Sequence, residues 1–191
     1  MGFLADLWLP ILLSSVFVFI ASALAWMMSP HHKQDWKAIP NEDGFLEALR
    51  ANNTPPGQYM FPFCGDPKEL KDPEKKKRYE AGPHGLMLVW PGAPNMGKNL
   101  ATTFVFYLVV GVFVAYITHT ALDNRPDPSY LRVFQVAGCA AVMAYCLGMI
   151  PGAIWTGKTA RSTAMDILDG IAYGLLTAGT FGWLWPQAAG A

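Results

Sequence analysis

Charge is scarce in this sequence, and cysteine is scarcer still. Lys, Arg, Asp and Glu make up only 15% of the 191 residues, and Lys plus Arg equals Asp plus Glu at fourteen each. A chain without net charge lacks the basic excess that nucleic acid demands, so no nucleic-acid partner is expected. Three cysteines, Cys64, Cys139 and Cys146, form no disulfide framework. An odd count without paired spacing fits a reducing compartment around Cys64. There is no phosphate-binding loop, no Ser–His–Asp pattern, no His-Glu-x-x-His and no Cys-x-x-Cys. No catalytic residue is singled out by such a list, and a non-catalytic protein is the expectation. No cofactor is named by the sequence either.

What the sequence does have is apolar length. Four blocks, roughly Leu4–Met28, Leu100–Leu122, Tyr130–Trp155 and Thr163–Trp185, are almost free of charge. Each is long enough to cross a bilayer core, which takes about 20 residues as helix. Lipid offers backbone amides no hydrogen-bond partners, so each span must satisfy its own; four blocks cannot close a barrel. The expected fold class is therefore an all-α membrane protein of four transmembrane helices. Residues 1–28 hold the first helix, 29–99 a polar insertion, and 100–191 helices two to four with short loops. The start could be mistaken for a cleaved leader at Ala23-Leu24-Ala25. It lacks a basic start, and its apolar run is too long, so a retained helix is expected.

Charge is concentrated where the apolar blocks are not. Ten of the fourteen Lys/Arg residues and nine of the fourteen acidic ones fall between Pro30 and Asn99. Near the block ends, Lys33, Lys37, Lys98, Lys158 and Arg161 share one membrane side, against Arg125 and Arg132 on the other. The positive-inside rule puts 29–99 and the loop 156–162 in the cytoplasm and both termini in the periplasm. Trp8, Trp26, Trp155, Trp183 and Trp185 sit at block ends, as an interfacial aromatic belt would.

The insertion is too long for a simple connector. Asn41-Glu42-Asp43 reads as a helix start, with Phe45, Leu46 and Leu49 on one face of a helix over 42–51. Tyr59, Phe61 and Phe63 alternate, as do Leu86, Leu88 and Trp90, which predicts two strands, possible partners in a pair. Pro73 opens a helix through Tyr79 that ends at Gly82. Its run Lys75-Lys76-Lys77-Arg78 suits either anionic headgroups or solvent.

Two small-residue stripes mark the third and fourth blocks. Ala140, Ala144, Gly148 and Gly152 recur every four residues, and so do Gly170, Gly174, Ala178 and Gly182. Small residues at that spacing let helices approach closely in lipid. The short link predicts an antiparallel hairpin, with the stripes facing each other or the first helix.

Ionisable groups inside spans are functional suspects because burial is costly. Asp166 has a structural reading, since Thr163-x-x-Asp166 resembles a capping box. Asp169 lies one turn deeper, with Tyr173 a turn beyond. Pairing with Arg161, Lys158 or another helix is one reading, and a proton or ion site is the other. His31 and His32 follow the first helix, on the predicted side of Asp169. With Asp35, Met27 and Met28 nearby they are candidate metal ligands, although neighbouring side chains diverge unless a loop redirects them. His84 and Cys64 could join only if the insertion folds back. Cys139, Met143 and Cys146 lie at i, i+4 and i+7, a face that suits either a cuprous ion or ordinary packing. His119 belongs to the opposite membrane side from His31 and His32, which argues against a bis-histidine haem. Aromatic spans with small-residue grooves are also able to hold lipid or pigment.

Pro30-His31-His32 with Asp35, Pro40-Asn41-Glu42-Asp43, Pro56-Gly57-Gln58-Tyr59-Met60, Met96-Gly97-Lys98-Asn99 and Thr177-Ala178-Gly179-Thr180-Phe181-Gly182-Trp183-Leu184-Trp185-Pro186 resemble a family of uncharacterised small bacterial inner-membrane proteins. The resemblance covers nearly the whole chain. It implies a bacterial inner-membrane setting, and neither an activity nor any site residue. The leading functional expectation is an accessory or structural subunit of a larger membrane complex, partnered by the bilayer and by other membrane proteins or copies of itself. The alternatives are a metal-linked membrane protein using His31 and His32, and a small proton-coupled transporter centred on Asp169.

Overall fold

A computed structural model describes residues 2–125 and 127–186. In chain order the elements are α1 (Gly2–Asp6), α2 (Trp8–Ala23), α3 (Glu42–Ala51), β1 (Gly57–Phe61), α4 (Pro73–Ala81), β2 (Gly85–Val89), α5 (Met96–Leu122), α6 (Tyr130–Tyr145), α7 (Ile150–Trp155) and α8 (Ala160–Leu184). Contacts divide the chain into a helical unit, 1–37 with 96–191, and a small unit, Ala38–Asn95. Residues 29–37 thus belong to the helical unit.

Among the described residues, four helical stretches are long and apolar enough to cross a membrane: Trp8–Met28, Met96–Leu122, Tyr130–Trp155 and Ala160–Leu184. Only 22–39% of each is buried, so most of their large apolar side chains face outward. Monomeric soluble proteins rarely carry so continuous an apolar surface.

Prolines explain where these helices break. Pro10 has no N–H to give to Asp6, and its ring crowds that carbonyl. The chain answers at Leu7, which leaves helical geometry and separates α1 from α2. Pro151 stands in the same relation to Leu147. There the third span passes through a 3-10 turn, Leu147–Met149, after Cys146 has left ideal helix geometry. The first span ends differently, in a π-helical turn over Leu24–Met28, followed by a 3-10 turn at Pro30–His32.

The helices of this unit are held mainly at one end. Leu7, Ile11, Val110, Val114, Ala115, Leu122, Val133, Ala137, Ala141 and Phe181 form the main core. A smaller cluster, Val18, Tyr107 and Tyr173, lies apart from it. The glycines of α8 show how α6 packs on it. An added Cβ at Gly182 would strike Tyr130, at Gly174 Val142, and at Gly170 Cys146 and the Tyr145 carbonyl, while Gly138 approaches Ala178. Partners run down one helix as they run up the other, so the pair is antiparallel. Gly170, Gly174, Ala178 and Gly182 are all buried. The α6 face that meets them is not the small-residue stripe. Val133, Ala137 and Ala141 are buried, whereas Ala144, Gly148 and Gly152 are exposed and Ala140 is only partly covered. The two stripes therefore do not meet; Tyr130, Val142 and Cys146 occupy the space that Gly182, Gly174 and Gly170 leave.

The small unit is simple. Asn41 caps α3 through its side chain. β1 and β2 pair antiparallel with Tyr59 opposite Met87. Asp72 caps α4, with Pro73 in its first turn. At its end Gly82 takes a positive φ of 64°, a conformation glycine adopts without steric cost. A 3-10 turn at Pro67–Lys71 precedes α4 and carries no pattern that hydropathy could reveal.

Gly174→Leu should destabilise the bundle by about 1–3 kcal/mol, the usual cost of overpacking, because its Cβ would lie 2.6 Å from Val142 Cγ2. Gly152→Leu should leave thermal unfolding in detergent unchanged, since a Cβ there meets nothing within 4 Å.

Candidate metal centre

The π turn and the 3-10 turn together redirect the chain at the end of the first span. Ser29 is extended, and Pro30–His32 then forms one tight turn. With 3.0 residues per turn, successive side chains are about 120° apart. That is wider than in an α-helix, so the two histidines reach one target through the redirected chain, with Ser29 extended, and through the reach of their rings, not through the spacing itself. Their centroids lie 4.2 Å apart with planes at 43°.

The target is Asp169, about two and a half turns into α8. His31 Nε2 lies 3.1 Å from Asp169 Oδ1, and His32 Nε2 lies 2.9 Å from Asp169 Oδ2. The other nitrogen of each ring is also engaged. His32 Nδ1 donates to Asp35 Oδ2 at 2.7 Å, and His31 Nδ1 pairs with the Ser29 hydroxyl. Arg161 fixes this frame by donating to Asp35 Oδ1 at 2.9 Å and to the His31 carbonyl at 2.8 Å. Trp26 lies over the His32 ring, 3.9 Å between centroids and 7° from parallel. The Tyr173 hydroxyl points to Asp169 Oδ2 at 3.5 Å.

His32 is deeply buried, at 4% exposed. Burial alone would lower its pKa; hydrogen bonds to Asp169 and Asp35 outweigh that and raise it above the ordinary 6.5. Without a metal, an imidazole between two carboxylates donates from both nitrogens, which requires the protonated ring; a metal at Nε2 would have to displace that proton. The aromatic face of Trp26 also favours that cation. Asp35 is lowered below its ordinary value, first by the hydrogen bond from His32, then by Ser162 and the nearby charges of His32 and Arg161, with burial opposing.

Among the described residues, one trio of possible metal ligands converges: His31, His32 and Asp169, their donor atoms all within 4.8 Å of one another. A tetrahedral ion with bonds of 2.0–2.1 Å separates its ligands by about 3.3 Å. The 3.1 and 2.9 Å separations are hydrogen bonds from His31 and His32 to the two different oxygens of Asp169, so a metal would have to replace them and draw in three donors that now lie within 4.8 Å of one another. The carboxylate on His32 Nδ1 and the hydroxyl on His31 Nδ1 are the supports that orient metal-binding imidazoles.

The remaining candidates fall elsewhere. Asp166 is not in a capping box: α8 begins at Ala160, capped by the Thr159 side chain on the Ser162 N–H, and Asp166 pairs with Lys158. Thr163 Oγ1 instead donates to the Thr159 carbonyl. Asp169 pairs with neither Lys158 nor Arg161 but with the two histidines. Cys146 is buried and its thiol points to the Ile167 carbonyl, while Cys139 and Met143 are exposed on α6, so the three sulfurs do not converge. His119 stacks on Phe3. In the small unit, His84 meets Tyr79 edge-on and Cys64 points to the Asp66 carbonyl.

Arg161 and Trp26 are the contributors that sequence reasoning placed differently, as a partner of Asp169 and as an interfacial anchor. The spacing of His32 and Asp35, three apart, was the visible signal for the supporting carboxylate. Because Asp35 and Arg161 share a contact within one network, Asp35→Ala and Arg161→Ala should each lower the melting temperature in detergent. The double variant should fall by clearly less than the sum of the two. Compared with known protein families, characterised proteins and solved structures, the chain matches none, so its function has to be read from these side chains.

Proposed function

We propose that the chain is a multi-pass protein of a bacterial inner membrane that binds one divalent first-row transition metal, zinc or ferrous iron, through His31, His32 and Asp169. The observation that carries this reading is the meeting of both imidazole Nε2 atoms on one carboxylate while both Nδ1 atoms are held from behind. Two histidines and one carboxylate form a donor set suited to those ions, and three protein ligands leave a position open. Asp35, Ser29 and Arg161 orient the ligands. Tyr173 stands beside Asp169, where its hydroxyl is placed to hydrogen-bond a molecule in the open position.

The membrane part of the proposal rests on the outward apolar surface of four long helices. The distribution of positive residues supports an orientation with His31, His32 and Asp169 on the cytoplasmic side, 29–99 cytoplasmic and both termini periplasmic. An accessory-subunit role draws on that same apolar surface, which lipid accounts for equally well. The His–His–Asp cluster calls for a chemical reason of its own, and metal binding supplies one.

Elemental analysis of protein purified without chelator should give close to one zinc or iron per chain. His32→Ala and Asp169→Ala should each reduce that content at least tenfold, as loss of one of three ligands would. Wild-type protein without stoichiometric metal, even after reloading, would end the metal reading. For the orientation, a reporter active only in the periplasm should work when fused after Ala191. Activity after Arg78 would reverse it.

A further inference from the structure

The bundle that closes tightly around Val114 and Val133 opens at the end that holds Asp169. There a groove of about 540 Å³ is lined by residues of α5, α6 and α8. Of its lining, Tyr107, Gly170 and Tyr173 are buried and Asp169 is partly buried. Its mouth lies on surfaces that face outward: Phe106 is 49% exposed, and Ala144 and Gly148 are exposed. The unpaired part of the α6 stripe thereby finds a role. A Cβ at Gly148 would meet nothing within 4 Å, so the small residues keep a passage open rather than pack a helix.

We propose that this groove binds the head of a neutral, ring-bearing membrane lipid of the quinone or quinol class, entering sideways from the bilayer. The inference rests on the membrane-spanning part of the proposed function, and not on the metal. Three features select the ligand. Trp26, Phe106, Tyr107, Tyr145 and Tyr173 line the groove, and the three tyrosine rings stand edge-to-face at 6.0–6.3 Å. Such walls suit a flat ring. The Tyr173 hydroxyl beside Asp169 offers a hydrogen bond to a ring oxygen at the inner end. Charge excludes the commoner headgroups. The lone lysine of the lining, Lys158, is paired with Asp166, and Asp169 adds a further carboxylate, so a phosphate finds no free cation. The volume fits a ring head, since ligand sites run about 300–1,000 Å³, while a hydrocarbon tail stays in lipid.

Full-length protein in mild detergent can be titrated with decylubiquinone and followed by quenching of tryptophan fluorescence. Wild type should saturate at micromolar ligand. Gly148→Phe should weaken binding at least tenfold without lowering the melting temperature, because the new ring enters open space. If that variant unfolds, Ala144→Leu replaces it, with the same expected loss. Quenching that rises linearly, or that is equal in wild type and in both filled variants, would overturn the proposal. So would displacement of the quinone by phosphatidylglycerol at equal concentration. Metal content measured on the same samples separates the two readings. Saturable quinone binding by metal-free protein would leave the groove standing and the metal centre refuted. Metal retained by a protein that does not bind quinone would show the reverse.

Discussion

A carboxylate set two and a half turns into an apolar helix must find partners, and the arrangement of this bundle follows from how Asp169 finds them. An unpaired charge at that position would cost several kcal/mol. Asp169 is answered by His31 and His32, which lie just beyond the first span. The contact ties together the chain's first and last long helices across 137 and 138 residues of sequence. It also dictates the local backbone. A regular helix continued beyond Met28 would have carried His31 and His32 on along its axis; the π turn, the extended Ser29 and the following 3-10 turn redirect the chain so that both rings reach Asp169. Local departures of this kind recur at functional sites.

The two ends of the bundle are built on different principles. At one end, aliphatic side chains and glycines bring α6 and α8 into close contact. Packing of this sort, rather than any flight from water, holds helices together in lipid. At the other end the core thins to Val18 and two tyrosines, and polar contacts take over. Pro151 contributes to the difference by loosening the third span at Cys146–Met149, next to the wall of the groove. A polar centre needs space and hydrogen-bond partners, and a close-packed helix crossing would supply neither.

Periodicity made the architecture readable. Long apolar runs gave the spans, and alternation at Tyr59–Phe63 and Leu86–Trp90 gave the two strands, which pair antiparallel. Asn41 and Pro73 marked the starts of α3 and α4. The start of α8 was misread because two threonines, Thr159 and Thr163, both suit a cap, and only the fold shows which one takes a helix N–H. The site was half legible. His31, His32 and Asp169 each stood out as polar groups beside or within apolar blocks. Their convergence did not, because it depends on two non-α turns that no hydropathy pattern encodes. The stripe of α6 was misleading for a related reason. Spacing every four residues shows that a face is smooth, and a smooth face serves a passage as well as it serves a contact.

An ion-pair network explains Asp169 without a ligand only if stability is its purpose. Buried pairs are poor at that task, since desolvation offsets most of their attraction and apolar replacements often do as well. Here the arrangement goes beyond simple pairing. Two histidines converge on Asp169, one on each carboxylate oxygen, and each is held from the rear by Asp35 or Ser29. Arg161 holds Asp35 in turn, and Trp26 covers the His32 face. Supports of that kind fix the direction of a lone pair, which matters to a bound cation and little to a salt bridge. The groove beside them adds the second half of the reasoning. A structural knot would be sealed by large side chains, whereas the exposed Ala144 and Gly148 leave an outward-facing groove beside Asp169. Oriented nitrogens and an open approach are together what the proposed metal centre and groove would need to meet a ligand from a membrane.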